Sequence, residues 1–547
     1  MKAFASLYQA LDRTTASQKK LDLLVTYFKC TKPADAAWAV FFLSGGKIRR
    51  LLPTRELRAY ALAKTGLSDW LFEESYQAVG DLAETISLLL SDDSTLRNDC
   101  LSDWVTNCLL PLQALSGEAR LEHLTIALDG WDPFARFVCL KLITSGLRVG
   151  VSRLSVTRAL ATATGLTTSQ VSQRLLGYLS SDTLPSSERY ALLTSTYDQA
   201  LQQLAPGQPY PFFLAHPVAI TLDSFEQTLG DSNQWQLEWK WDGIRAQWVC
   251  RNEQTWLWSR GEELISQQFP EICEVKPPTN MNLVLDGELL VWPSDAELPE
   301  PFAALQKRLG RKQVPASVRK AQPVVFVVYD ILEHAGQDVR DKPLEQRRAL
   351  LEATLHLINH PRFRVSPCLH VSDWTQAHQL QSGARDMKAE GLMLKSRTST
   401  YGIGRTRQAG LWFKWKLDPM SVDAVLIYAQ QGHGRRASLY TDYTFAVWDK
   451  PAGAEDRQLV PLAKAYSGLT DEEIRRVDKI LRKSTLESFG PVRRVNPTLV
   501  FEIGFEGVMP SSRHKSGLAL RFPRMLRWRI DKPIDEADTL ESVRALL

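Results

Sequence analysis

Apolar positions change their spacing partway along the chain. Up to about residue 203 they return at helical intervals, as in 21–28 and 81–90, which predicts a succession of amphipathic helices. Turn chemistry separates these segments at Ser44-Gly45-Gly46 and at Gly130-Trp131-Asp132-Pro133. The stretch Ala205-Pro206-Gly207-Gln208-Pro209-Tyr210-Pro211 then concentrates prolines in a way that suits a boundary between domains. Beyond it, short β-branched or aromatic runs predict strands at 247–250, 255–258, 283–285, 324–329, 412–415, 424–428, 443–448 and 499–505. A second boundary is expected near Leu417-Asp418-Pro419. The pattern therefore predicts a helical domain over 1–205, followed by two β-rich domains over 206–418 and 419–547. No repeat of solenoid length interrupts this order.

Composition agrees with folded, globular material. The 547 residues are 44% hydrophobic and 23% charged, with mean hydropathy −0.21, which is length for about three domains at roughly 100–200 residues each. The longest apolar runs fall far below the roughly 20 residues that span a bilayer. The N-terminus lacks the apolar core of a secretory signal, so a cytoplasmic protein with no membrane contact is expected. Seven cysteines without a C-x-x-C pair argue for reduced thiols and against a zinc module.

Net charge by itself suggests no polyanionic partner: 66 basic residues stand against 62 acidic ones. Local charge differs. Between 513 and 532, Arg513, Lys515, Arg521, Arg524, Arg527, Arg529 and Lys532 face only Asp531, a density that suits phosphate contacts as well as a solvated face.

The segment Glu238-Trp239-Lys240-Trp241-Asp242-Gly243-Ile244-Arg245 carries the first candidate chemistry. A nucleophilic lysine must lose its proton, and flanking tryptophans with nearby cations favour that loss. Alone, the segment fits a surface lysine too. Downstream follow Ser259-Arg260-Gly261-Glu262, Asp286-Gly287-Glu288-Leu289, Tyr329-Asp330, Glu390-Gly391-Leu392-Met393-Leu394-Lys395 and Trp412-Phe413-Lys414-Trp415-Lys416. Arg521-Phe522-Pro523-Arg524-Met525-Leu526-Arg527-Trp528-Arg529-Ile530-Asp531-Lys532 closes the series. In this order and spacing the motifs resemble those of the covalent nucleotidyltransferases, and with the helical N-terminal region the chain resembles the bacterial three-domain ATP-dependent DNA ligases over nearly its whole length.

That resemblance implies an all-α N-terminal DNA-binding domain, an α+β nucleotidyltransferase (ATP-grasp-like adenylation) domain and a C-terminal β-barrel of the OB-fold. It implies nick sealing in DNA repair or replication, with Lys240 as the nucleophile that takes AMP from ATP. Glu238 is the expected adenine contact and Tyr329 the ring that stacks on it. Arg245, Lys395, Lys414 and Lys416 are expected at ribose and phosphates, with Glu288 also at the ribose. Arg260 is expected at the 5′-phosphate of the nick, and Arg527, Arg529 and Lys532 at the departing pyrophosphate. Glu288 and Glu390 are the expected ligands of Mg²⁺, for which Mn²⁺ substitutes.

Gly146, Arg148, Gly150 and Ser152 resemble a DNA-contacting loop of the helical domain, though a plain interhelical turn also fits. Lys47, Arg49 and Arg50 form a second candidate phosphate contact. That segment is not a nucleotide P-loop, because Phe41 stands where its first glycine belongs. Lys307, Arg308, Arg311, Lys312, Arg319 and Lys320 fit either a DNA-facing stretch or a solvated helix. The expected partner is nicked double-stranded DNA encircled by a monomer, and the expected location is the cytoplasm of a bacterium, at the nucleoid. No protein partner is indicated. Three other readings share parts of the pattern. An NAD-dependent ligase carries a four-cysteine zinc module, RNA ligases and capping enzymes lack the helical region, and a non-enzymatic scaffold has no use for Lys240 and both carboxylates.

Overall fold

A computed structural model describes residues 1–48, 51–90, 97–180, 184–195, 206–261, 263–277, 281–309, 311, 313–405, 411–432, 439–489 and 492–547. Arg49, Arg50, Glu262 and Lys312 lie outside the described residues, as do residues 196–205, which lead up to the first expected boundary. The chain forms two compact units, one from residues 1–5, 48–147 and 418–547, the other from 6–47 and 148–417.

In the first unit, helices Thr54–Thr65, Asp69–Val79, Leu82–Leu89, Gly117–Leu128 and Pro133–Ile143 follow the helical periodicity of the sequence. Their ends have local causes. Asp132 Oδ1 accepts from the backbone N–H groups of Phe134 and Ala135 at 3.1 and 3.0 Å, and Pro133 supplies a first-turn φ, so Gly130-Trp131-Asp132-Pro133 starts a helix as well as ending one. The strand-rich part of this unit is a seven-stranded sheet in which Met420–Gln431 pairs antiparallel with Tyr440–Trp448, Val492–Val495 and Val500–Phe505. Its core joins Val422, Phe445, Phe501 and Ile503 to Val477 and Leu481 of helix Asp471–Ser484, which a Thr470/Glu473 capping box begins.

The second unit carries helices Ser17–Cys30, Pro33–Leu43, Arg153–Thr164, Thr168–Ser180 and Ser187–Thr194, together with two sheets. The five-stranded sheet runs His216–Pro217, Trp412–Lys416, Ala389–Ser396, Trp235–Trp241, Cys368–Leu369. The six-stranded sheet runs Gln254–Ser259, Ile244–Arg251, Leu283–Val291, Val324–His334, Gln337–Asp338, with Phe363–Val365 added parallel to Val324–His334. Each strand read from apolar runs is present. The helices Leu344–Ile358 and Trp374–Ser382 of this unit, and Asp471–Ser484 of the first, were hidden in what reads as β-rich sequence, because flanking runs of valine and aromatics dominate the local pattern.

One buried ion pair ties a site strand to its helix. Asp330, next to Tyr329, accepts from Arg347 Nε and Nη2 at 2.8 and 2.9 Å, and both side chains are fully buried. Arg347 also donates to the carbonyl of Ser399 at 3.1 Å. Removing one partner of such a pair strands the other charge. Arg347→Met is therefore expected to lower unfolding free energy by about 3–5 kcal/mol, read by urea titration, whereas a loss under about 1 kcal/mol would show that Asp330 is satisfied without it.

Candidate active site

Side chains of a strand alternate between faces, and that alternation builds the site. Trp235, Leu237, Trp239 and Trp241 share one apolar cluster with Leu392 and Leu394. Gln236, Glu238 and Lys240 consequently face the other way, as Lys414 and Lys416 do on either side of Trp415. In the six-stranded sheet Leu283, Leu285, Leu289 and Val291 enter the core beneath, which turns Asp286 and Glu288 to the opposite face. Arg245 stands in register with Glu288. The two tryptophans flanking Lys240 therefore do not wall its amine, contrary to expectation: neighbours in a strand point to the opposite face.

Lys240 Nζ, on one strand, donates to Glu390 Oε2, which opens a later motif 150 residues on in the chain. Lys416 Nζ approaches the same oxygen at 3.4 Å. Glu390 thus holds two amines of the cleft at one point. The packing that permits this is tight. Gly391 has φ +137°, and a Cβ there would lie 2.1 Å from the carbonyl oxygen of Trp415 and 2.8 Å from Cα of Lys416, so only glycine lets the Glu390 strand approach the Lys416 strand so closely. Gly243 has the same role after Lys240, since its Cβ would meet the carbonyl oxygen of Leu289 at 2.3 Å.

A second group of charges is spent inside the wall. Glu238 is buried and accepts from Gln236 Nε2 at 2.6 Å and Lys395 Nζ at 2.8 Å. Lys395, expected at ribose or phosphate, is itself buried and lies 4.2 Å over the Tyr329 ring and 4.7 Å over that of Trp412. Asp286 is fully buried and gathers four donated hydrogen bonds: from Arg245 Nε and Nη2 at 3.2 and 2.7 Å, from Tyr329 at 3.3 Å and from Tyr401 at 2.6 Å. Arg245 Nη1 adds a bond to the carbonyl of Phe213 at 2.6 Å. Asp286 and Tyr401 received no role from the sequence. Asp286 had a legible signal, standing two residues before Glu288 on the same strand face; Tyr401, in a loop, had none.

Electrostatically the open part of the cleft is cationic. Burial pushes the Lys414 amine below its ordinary pKa, and Lys416, Arg405, Lys240 and Arg260 push it further. Glu288 shows the converse. Burial raises its carboxyl to about 8 despite the opposing pull of Lys240 and Arg245, and Asp286 and Glu390 raise it as well. Among the described residues Glu288 makes no hydrogen bond or ion pair. A poorly compensated carboxylate beside Glu390 fits a hard cation such as Mg²⁺, or a hydroxyl donor. Cations and carboxylates so arranged bind a polyphosphate and place an amine against it.

The cleft thus brings together Glu238, Lys240, Arg245, Arg260, Glu288, Tyr329, Glu390, Lys395, Lys414 and Lys416. Arg527, Arg529 and Lys532 belong to the other unit, where they pair locally. Arg529 and Lys532 reach Asp423 Oδ2 at 2.8 and 2.7 Å, and Arg527 reaches Glu502 at 3.3 Å. Arg148, in the loop before helix Arg153–Thr164, and Lys47, after helix Pro33–Leu43, are both exposed. Ser152 Oγ accepts from the backbone N–H of Ser155 at 3.1 Å, capping helix Arg153–Thr164, and Gly150 with Val149 offers carbonyls to Lys20. Gly146 follows the helix that ends at Ile143. Arg308 does not belong to a DNA-facing stretch: it is fully buried and paired with Glu271 at 2.6 Å.

Family models match the chain in three consecutive stretches. Residues 1–161 match the DNA ligase N terminus, 213–416 the ATP dependent DNA ligase domain and 436–532 the ATP dependent DNA ligase C terminal region. A probable DNA ligase of Koribacter versatilis is 32% identical, with 99% of this chain and 95% of that protein covered. A DNA ligase of Thermococcus fumicolans is 26% identical, covering 99% and 97%. Among solved structures, Pmar-Lig_PreS3 shares the fold with a TM-score of 0.58 at 16% identity, over 96% of this chain and 99% of that one.

Titration of the Glu288 carboxyl is coupled to folding. Its folded pKa lies above its unfolded value, so the folded state keeps a proton that the unfolded chain releases, and stability drains away as pH rises from about 4.5 to 8. Glu288→Gln is expected to leave Tm unchanged near pH 4.5 and to raise it by at least about 2 °C at pH 8, measured without nucleotide or metal. A Tm difference independent of pH would contradict the assignment.

Proposed function

The chain belongs to the ATP-dependent DNA ligase family, and we propose that it seals 5′-phosphate/3′-hydroxyl nicks in duplex DNA through a lysyl-AMP intermediate on Lys240. The observation that carries this route is the cleft in which the Lys240 amine bonds to Glu390 beside Lys414 and Lys416.

In the first step the lone pair of Lys240 Nζ forms a bond to the α-phosphorus of ATP, the bond to pyrophosphate breaks, and Glu390 takes the amine proton. Lys414 and Lys416 spread the phosphate charge, and Arg245, expected there too, is held behind them by Asp286 and the Phe213 carbonyl. Glu238 and the Tyr329 ring hold the adenine, Lys395 fixes both from beneath, and Glu288 holds the ribose. Mg²⁺ or Mn²⁺, held by Glu288 and Glu390, would supply Lewis-acid neutralisation of phosphate oxygens. In the second step an oxygen of the 5′-phosphate, positioned by Arg260, attacks the same phosphorus, and the nitrogen–phosphorus bond breaks as lysine regains a proton. In the third, the 3′-hydroxyl oxygen bonds to the 5′-phosphorus and AMP leaves.

The same reading divides the chain into a DNA-binding domain over 1–205, an adenylation domain over 206–418 and an OB-fold domain over 419–547, a monomer that closes around nicked DNA in the bacterial cytoplasm. Lys47, Arg49, Arg50 and Arg148 contact the DNA backbone on this account, with Gly146, Gly150 and Ser152 shaping the loop. Arg527, Arg529 and Lys532 exchange their local carboxylates for the pyrophosphate during the first step. Three paired cations are well suited to such an exchange, since charge-assisted bonds to a polyphosphate replace the ones released.

ATP labelled at the α-phosphate is expected to label the protein covalently in Mg²⁺, NAD labelled at its adenylyl phosphate is expected not to, and Lys240→Ala is expected to abolish labelling while keeping the wild-type Tm. Full labelling of that variant would overturn the nucleophile assignment.

A further inference from the structure

The layer of helices beneath the six-stranded sheet holds a recess of about 510 Å³ that no step of nick sealing uses. It is formed by helix Pro270–Cys273 and the residues after it, helix Ala316–Ala321, and the chain that follows helix Leu344–Ile358. Its apolar lining, Val275 and Ile358, packs against the core that contains Leu285 and Leu289. Asp286 and Glu288 leave the same strand on the other face, so a whole sheet separates this recess from the cleft.

The charge of the recess is lopsided. Lys276, Arg319, Lys320 and Arg362 line it against two carboxylates, Glu271 and Glu274. Glu271 is already taken by buried Arg308 at 2.6 Å. Glu274 holds Arg319 only loosely, at 3.8 Å, and Arg319 Nε is buried without a hydrogen-bond partner among the described residues. Two neighbours register the surplus. Burial and then Arg362 push the His360 imidazole below its ordinary pKa, and Arg308 is lowered by burial and by Arg362 and Arg319 in spite of Glu271. Lys276 and Arg362 donate to the carbonyls of Glu253 and Val324, which leaves Arg319 and Lys320 as the cations best placed to turn to a ligand.

We propose that this recess is a second binding site, for a small phosphate-bearing anion of up to nucleotide size, with Arg319 and Lys320 on the phosphate and Val275, Ala316 and Ile358 against a base or sugar. The volume falls within the range of small-molecule sites, and the mixture of an apolar floor with a few convergent charges is what such sites share. Phosphate bound by arginine and lysine is the matching chemistry. A duplex lying over Lys240 is on the wrong side of the sheet to occupy it.

The test is calorimetric titration of AMP into the full chain with EDTA present, for wild type, for Arg319→Glu/Lys320→Glu and for the milder Arg319→Gln/Lys320→Gln. Wild type is expected to show one binding event more than either double variant, and millimolar inorganic phosphate is expected to suppress that event. Both variants should keep the wild-type Tm, and their affinity for nicked DNA should stay within about twofold. The same number of events in all three proteins would overturn the proposal, and so would a fall of about tenfold or more in nicked-DNA affinity without loss of an AMP event, which would assign the cations to DNA backbone instead. Covalent adenylylation of the variants by ATP, measured in parallel, reports on the Lys240 cleft separately, so failure of one reading leaves the other standing.

Discussion

The carboxylate of Glu390, shared between the amines of Lys240 and Lys416, is the contact on which the arrangement of the cleft depends. Three strands meet at this one side chain, two of them consecutive in the chain and the third, that of Lys240, about 150 residues earlier. The contact exists only because the backbone at Gly391 passes so close to Trp415 and Lys416 that no Cβ fits. Strand pairing sets the distance, alternation sets the face, and the glycine sets the depth. Electrostatics adds to this, because a carboxylate between two amines fixes the position of both.

Around that contact the charges divide into those spent within the wall and those left facing the cleft. Glu238 with Lys395, and Asp286 with Arg245, Tyr329 and Tyr401, are satisfied internally and act as rigid supports. Lys414 and Glu288 are not, and each is displaced from its ordinary pKa, chiefly by burial. Groups that burial holds away from their ordinary pKa weaken the ligand-free fold at this point. The motif cations of the other unit solve the same problem differently: Arg529 and Lys532 park on Asp423.

Much of this was legible in the sequence because a chemical need leaves residues in a fixed order. Lys240, Glu288, Glu390, Lys414 and Lys416 were each read from motifs, and the structure brings all five to one cleft. Residues whose work is done through folding were not legible. Tyr401 reaches Asp286 from a loop with no periodicity, and Gln236 is simply one more polar position on a strand. Local charge also misled: Arg308 sits in a basic run yet is buried against Glu271, because a cation sequence cannot reveal a carboxylate that lies 37 positions earlier. The helices of the second half escaped because runs of valine and aromatics on either side dominate the local pattern.

On the proposed route Glu390 orients Lys240 and takes its proton. Single-turnover adenylylation by ATP, followed against pH for wild type and Glu390→Gln, tests it most directly. Glu390→Gln is expected to be slower by about 100-fold or more at neutral pH, the size of a general-base contribution, with a deficit that narrows as hydroxide replaces the missing base and a Tm that holds. Equal rates at neutral pH, or a deficit of the same size at every pH, would contradict it.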